Sequence, residues 1–207
     1  MWSGAMSRGI GIVAIGLVFA TAAEAQPSRT GFRLGGGVSA TTGEGSVAPA
    51  VGLAASYRFG PRFGLELDAS YLPKIDLGEF PNCPPPLVCI LGGNYSLDAR
   101  AVSLTGNVVA ALPSGVSWMQ PYVVAGIGVA HVRRQHQDVF FAARRWQITT
   151  TKPTVTFGGG VEFPAGRRLG LGLDIRYQPI FEDRPALPVV EPTLNLTRIG
   201  ATLSYRF

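Results

Sequence analysis

The stretch Ile199-Gly200-Ala201-Thr202-Leu203-Ser204-Tyr205-Arg206-Phe207 puts apolar side chains at odd positions and small or polar ones at even positions. A period of two is needed only by an extended strand whose two faces meet different surroundings. Seven earlier segments repeat the pattern: Gly31–Ala40, Val47–Phe59, Arg62–Leu72, Ser96–Leu112, Gln120–Val132, Thr154–Phe163 and Arg168–Gln178. In the last of these Leu169, Leu171, Leu173, Ile175 and Tyr177 oppose Gly170, Gly172, Asp174, Arg176 and Gln178. The fifth segment is the least regular, yet Val123, Ala125, Ile127 and Val129 still oppose Val124, Gly126 and Gly128.

A helical alternative fails on composition. The chain has 27 Gly in 207 residues and only 15% charged residues, where a helical protein carries more Lys and Glu and less Gly. Glycine between crowded strands instead suits a closed antiparallel sheet. The connections also follow a rhythm. Gly60-Pro61, Pro113-Ser114-Gly115 and Pro164-Ala165-Gly166-Arg167 are tight, whereas Lys74–Tyr95, Arg133–Pro153 and Pro179–Asn195 are long and Thr41–Ser46 is intermediate. Short turns at one end and long loops at the other are what transmembrane barrels show. The expected fold is therefore all-β, an eight-stranded antiparallel up-and-down transmembrane β-barrel with both termini at one end.

Charge parity separates the faces. Arg33, Arg58, Arg176, Arg198 and Arg206, with Glu66, Asp68, Glu162 and Asp174, all fall on the polar face. Nothing charged falls on the apolar face at mid-strand; Asp98 and Arg100 break parity near the outer end of the fourth segment. A cation at the lipid midplane costs about 2–4 kcal/mol, so this segregation is expected if the apolar face meets lipid. A soluble lipocalin-type barrel would invert the faces, and alternation alone cannot separate the two. The loop rhythm favours the membrane version. So do the aromatics near strand ends: Tyr57, Phe59, Phe63, Phe163, Tyr205 and Phe207 for one girdle, Tyr71 and Tyr177 for the other. Eight strands leave a lumen just wide enough for side chains, so the nine charges there are expected to pair and seal it. A narrow channel for small solutes is the alternative, because Gly-rich walls leave room for water.

Residues 1–25 read as a cleaved secretory signal. Arg8 flanks the apolar stretch Ile10–Ala20, and Ala23-Glu24-Ala25 is a small-x-small cleavage site, leaving residues 26–207 as the barrel domain. A membrane anchor would need a longer apolar run. Export implies an oxidising compartment, so Cys83 and Cys89 are expected to pair. They flank Pro84-Pro85-Pro86-Leu87-Val88, and the bridge would be worth about 2–3 kcal/mol. The three prolines favour an extended chain, so Leu87-Val88 must turn it back. No further Cys or His lies nearby to make a zinc site, and no cofactor or metal is indicated.

The net charge of +5 alone could suggest nucleic acid, but the basic residues are scattered over strands and one loop without an aromatic-basic repeat, so no nucleic-acid partner is expected. That loop holds Arg133, Arg134, His136, Arg144, Arg145 and Lys152, with Phe140, Phe141 and Trp146 between them. One reading is a solvated extended hairpin. The other is contact with lipopolysaccharide phosphates through Arg133, Arg134, Arg144 and Arg145, joined by Arg100, since Arg suits anionic oxygens bidentately. His131 and His136 invite an enzyme reading, lipid-A deacylation among them, but no Ser stands two residues from either, and catalysis is not expected.

The ending Leu203-Ser204-Tyr205-Arg206-Phe207 resembles the closing strand of bacterial outer-membrane β-barrels, and Pro121-Tyr122-Val123-Val124-Ala125-Gly126-Ile127-Gly128 is similar to a strand common among the small OmpA-type barrels. The resemblance spans Gln26–Phe207. It implies the cell outer membrane as location and outer-membrane lipid and lipopolysaccharide as surroundings. It also implies the barrel-assembly machinery as a transient partner reading Tyr205 and Phe207. Full-length OmpA proteins add a peptidoglycan-binding domain that this sequence does not contain, so cell-wall tethering is not implied. The expected function is that of a monomeric structural or surface-interaction protein. A small-solute conduit and a lipid-modifying enzyme are the competing readings.

Overall fold

The computed structural model describes residues 30–43, 46–81, 94–138, 145–181 and 194–207, with residues 30, 43, 77–81, 94, 95, 136–138, 145 and 146 described by backbone alone. The sequence expectations for the signal segment 1–25, for Cys83 and Cys89, and for Phe140, Phe141 and Arg144 lie outside the described residues.

Eight strands run in chain order: β1 Thr30–Gly43, β2 Ser46–Phe59, β3 Phe63–Pro81, β4 Asn94–Ala111, β5 Gln120–Asp138, β6 Arg145–Ala165, β7 Leu169–Pro179 and β8 Asn195–Arg206. Each pairs antiparallel with its chain neighbour, and β1 pairs with β8, from Arg33↔Arg206 to Thr42↔Thr197, to close the barrel. Closure is what lipid demands of a sheet, because an open edge leaves N–H and C=O groups with no partner in hydrocarbon. The 11 residues of β7 match the length at which a strand tilted about 45° crosses the hydrocarbon layer.

The pleat then sorts the side chains. On β7 exposed and buried residues alternate without a break from Leu169 to Gln178. Leu34, Leu53, Leu67, Leu104, Ile127, Phe157, Leu173 and Leu203 stand on the outer surface, and no charged side chain shares the middle of that surface among the described residues. Aromatic side chains gather at the short-turn end. Trp118 stacks on Phe163 at 6.0 Å, and Phe207 packs on Phe32 at 5.9 Å and edge-on to Tyr205 at 5.0 Å. Tyr71 and Tyr177 are exposed toward the other end. Trp118 belongs to this girdle although it lies in a turn with no alternation to mark it.

The turns are compact. Gly166 takes φ 89° in the β6–β7 turn, a left-handed conformation that favours glycine. Within the wall, glycine also sets how closely strands approach. A Cβ built on Gly160 would meet the Tyr122 hydroxyl at 2.8 Å and press into the Leu173 carbonyl, so only hydrogen fits there.

Several strands outrun the alternating segments. β3 continues to Pro81 instead of ending at Leu72, β5 to Asp138 instead of Val132, and β6 begins at Arg145 instead of Thr154. Much of what the sequence presents as the long loops Lys74–Tyr95 and Arg133–Pro153 is therefore hairpin. The ladder persists where the alternation lapses, because backbone pairing does not need an apolar face. Register irregularities between Leu72 and Ile75 and between Asp76 and Glu79 further scramble the parity. Pro153 is tolerated inside β6 because the regular β6–β7 ladder stops at Phe157↔Tyr177, leaving one isolated bridge at Thr154↔Ile180.

Leu173 stands at the middle of β7, facing outward and 54% exposed. Leu173→Arg is expected to lower stability by about 2–4 kcal/mol in urea unfolding from phospholipid vesicles. A change within about 0.5 kcal/mol would mean that this face does not meet hydrocarbon.

Candidate functional site

The inward side chains stack in layers along the barrel axis. Nearest the short turns, Glu162 on β6 is the centre of a cluster of guanidinium groups. Arg33 from β1 donates to Glu162 Oε2, Arg58 from β2 reaches the same oxygen at 3.2 Å, and Arg206 from β8 donates to Oε1 at 2.9 Å. Arg58 also donates to Gln120 Oε1 at 3.3 Å. One carboxylate thus serves three cations drawn from three strands.

The next layer is richer in carboxylates. Arg176 on β7 holds Glu66 with both terminal nitrogens, at 2.6 and 3.4 Å, and lies 3.6 Å from Asp68 and 3.5 Å from Asp174. Arg198 on β8 donates to Asp68 at 2.7 Å. Asn107 donates to Glu66 at 3.1 Å, and the Tyr122 hydroxyl to Asp174 at 3.4 Å. The Arg176 side chain is only 5% exposed, so this two-pronged pairing keeps its charge compensated away from bulk water. All nine charged residues expected on the inner face by parity occur in these two layers. A cavity of about 100 Å³ lies among them, lined in part by Gly35, Gly37, Gly52, Asp68, Arg176 and Arg198. It has room for several water molecules.

Above these two layers the lining is mostly uncharged. Ser70 and Ser103 share a hydrogen bond of 2.7 Å, and Ser103 reaches Gln178 at 3.4 Å. Beyond them lies an apolar plug that the alternation did not announce. Leu72, Ile75, Leu97, Ile180, Leu194 and Leu196 are buried together with Ala48, Ala50, Ala99, Ala101, Ala130 and Val132. These residues carry the parity of the polar face, continued outward. The sequence signal was present, since Ala99, Ala101 and Val132 sit at inward positions of β4 and β5, but the neighbouring stretches scan as loops.

The basic residues near the long-connection end divide between the two sides of the wall. Arg100 on β4 and Arg133 on β5 are exposed and face outward. Arg134, grouped with them on sequence, is 4% exposed and turned inward opposite Ala99, at the level of the apolar cluster, because adjacent residues of a strand point to opposite faces. It is therefore withdrawn from any contact on the outer surface. Arg145 is described by backbone alone, opposite Gln137. His131 faces outward, its Nδ1 2.9 Å from Thr151 Oγ1. At the other end Phe207 is 72% exposed, its N–H donates to the Phe32 carbonyl at 3.1 Å, and Arg168 donates to the Tyr205 hydroxyl at 3.0 Å. Among the described residues no group of three or more His, Cys, Asp or Glu could hold a metal ion.

The family described as "Outer membrane protein beta-barrel domain" matches residues 11–207. A comparison with curated proteins finds no match. Among solved structures, Neisserial surface protein A is similar with a TM-score of 0.58 at 12% identity, covering 87% of this chain and 99% of its own. A major outer membrane protein of Thermus thermophilus is similar at 0.57 and 15% identity, covering 85% and 99%. The outer membrane protein OprG of Pseudomonas aeruginosa is similar at 0.51 and 12% identity, covering 89% and 99%. At these identities the likeness is one of fold.

Glu162→Gln would leave Arg33, Arg58 and Arg206 facing one another without their shared carboxylate. The expected loss is about 3–5 kcal/mol in urea unfolding. A loss below about 1 kcal/mol would show that water in the lumen, not Glu162, compensates the three arginines.

Proposed function

This chain belongs to the outer membrane protein β-barrel domain family, a family of the bacterial outer membrane, and from that membership we propose that it is a non-conducting barrel with a structural or surface-interaction role. The observation that carries this reading is the cluster of buried apolar side chains, Leu72, Ile75, Leu97 and Ile180 among them, that fills the lumen above the paired charges beside the inward Arg134 and Lys152. An ion crossing a narrow apolar constriction must shed water without receiving replacement ligands, which is how hydrophobic gates close. The ionic layer alone would be a weaker barrier, because charged walls can rehydrate or exchange partners with a passing ion.

A seal of this kind leaves the ends and the outer wall as the working surfaces. The hairpins β3–β4 and β5–β6 extend past the lipid-facing belt and carry outward cations, which suits contact with lipopolysaccharide or with external ligands. Tyr205 and Phe207, exposed beside Phe32 where β8 joins β1, are suited to recognition by the barrel-assembly machinery during insertion. The protein works as a monomer with neither catalysis nor cofactor in this proposal.

A narrow conduit is the second reading, and the cavity among the charges favours it, since that space lies on the path a solute would take. Planar-bilayer recording separates the two. The unmodified protein is expected to give no current steps, as is Asp68→Asn with Arg198→Gln, which removes one ion pair without changing the net charge. Replacing Leu72, Leu97 and Ile180 by Ser is expected to open a steady leak. Reproducible steps from the unmodified protein would sink the non-conducting reading.

A further inference from the structure

We propose that the outward-facing set Lys74, Arg100 and Arg133 is a binding site for a phosphate group of a phosphorylated glycolipid in the outer leaflet. This rests on the lipopolysaccharide contact proposed above and gives that contact a place and a set of ligands.

Arg100 and Arg133 stand directly opposite each other in the β4–β5 ladder, on the outer face. Like charges in that position repel and destabilise a sheet. Neither guanidinium has a carboxylate partner among the described residues. A third cation arrives from β3, where the irregularity between Leu72↔Ala101 and Ile75↔Ala99 sets Pro73 and Lys74 against Arg100. Lys74 lies 2.9 Å from Asp98, the one carboxylate among the described residues that line the site. The lining thus carries three cations and one anion, with a second carboxylate, the exposed Asp76, opposite Asp98 at its margin.

These side chains do not form a flat patch. Lys74, Asp98, Arg100, Arg133 and Gln135 line a cavity of about 210 Å³. It can admit a phosphate with guanidinium groups on two sides, an ammonium on a third and the Gln135 amide as a further donor. An anion seated between Arg100 and Arg133 converts the repulsion into two sets of charge-assisted hydrogen bonds.

Position chooses the source of the phosphate. The preceding outward positions along the same strands are Tyr71, Val102 and His131, paired across the sheet, and Tyr71 and Val102 belong to the lipid-facing wall. Aromatic side chains mark the depth of lipid headgroups, so the cations stand at or just beyond it. The residues that line the site stand on the outer face of the wall, the side a lipid occupies. The turn arginines Arg62 and Arg167 at the other end are exposed too, but they are not paired across a ladder and serve as controls.

The test uses the full chain refolded in detergent, with its fold checked by far-ultraviolet circular dichroism. It is titrated with bis-phosphorylated lipid A, with dephosphorylated lipid A and with inorganic phosphate, and bound lipid is read by native mass spectrometry. The unmodified chain should prefer the phosphorylated lipid. Arg100→Gln with Arg133→Gln should lose that preference, with affinity falling about tenfold or more. Arg62→Gln with Arg167→Gln should retain it. A preference that persists in the Arg100/Arg133 variant overturns this site and leaves the lipopolysaccharide reading standing. No preference in the unmodified chain overturns both. Inorganic phosphate that displaces the lipid at equal concentration makes this a free-anion site and overturns the lipid assignment.

Discussion

The ladder between β1 and β8 is the contact on which everything else depends. A sheet in hydrocarbon cannot leave one edge unpaired, because each orphaned backbone group there costs several kcal/mol. Pairing from Arg33↔Arg206 to Thr42↔Thr197 removes both edges at once. Closure at eight strands then determines the bore, and at that bore the interior holds side chains and little else. The inner charges are consequently forced into contact, whatever use is later made of them.

Inside the bore, two kinds of sealing are stacked. Paired charges lie toward the short turns, and apolar side chains lie toward the long connections. They differ in physical character. Ion pairs in a narrow lumen hold strands together across the barrel, since Glu162 on β6 links β1, β2 and β8, and Arg176 on β7 links to β3. They also leave polar space beside them. The apolar layer is built of side chains that give a passing ion no ligand, although two cations, Arg134 opposite Ala99 and Lys152 opposite Ala130, are turned inward at its level. Bracing and occlusion are thus separate tasks given to separate layers.

The outer wall is divided along the same axis. Its middle is apolar, and its short-turn end is aromatic, with Phe32, Tyr205 and Phe207 packed where the sheet closes. Its other end turns cationic as soon as the strands pass Tyr71, Val102 and His131. The same pleat that keeps Arg33 and Arg176 off the lipid face puts Arg100 and Arg133 on the outer surface just beyond it. An arginine is costly at the midplane and favourable among headgroups, so depth along the strand, more than residue type, decides where a charge is tolerated.

Strand number, closure, the direction of each face and the nine inner charges were legible in the sequence, because lipid on one side and a narrow lumen on the other impose a period of two that a single chain displays. Where that contrast fades the sequence fell silent. The hairpin extensions of β3–β6 and the apolar plug lie where neither face must be uniformly apolar, so hydrogen-bonded pairing proceeds without an alternation to betray it. Ending the fifth segment at Val132 also left Arg133 and Arg134 together in a loop, while the extended β5 ladder sends one outward and the other inward. Which cations meet which carboxylates, and which arginine opposes which, depend on register and on the curvature of a closed sheet. Many of those distances join residues more than a hundred positions apart, such as Asp68 and Arg198, and no local pattern encodes them.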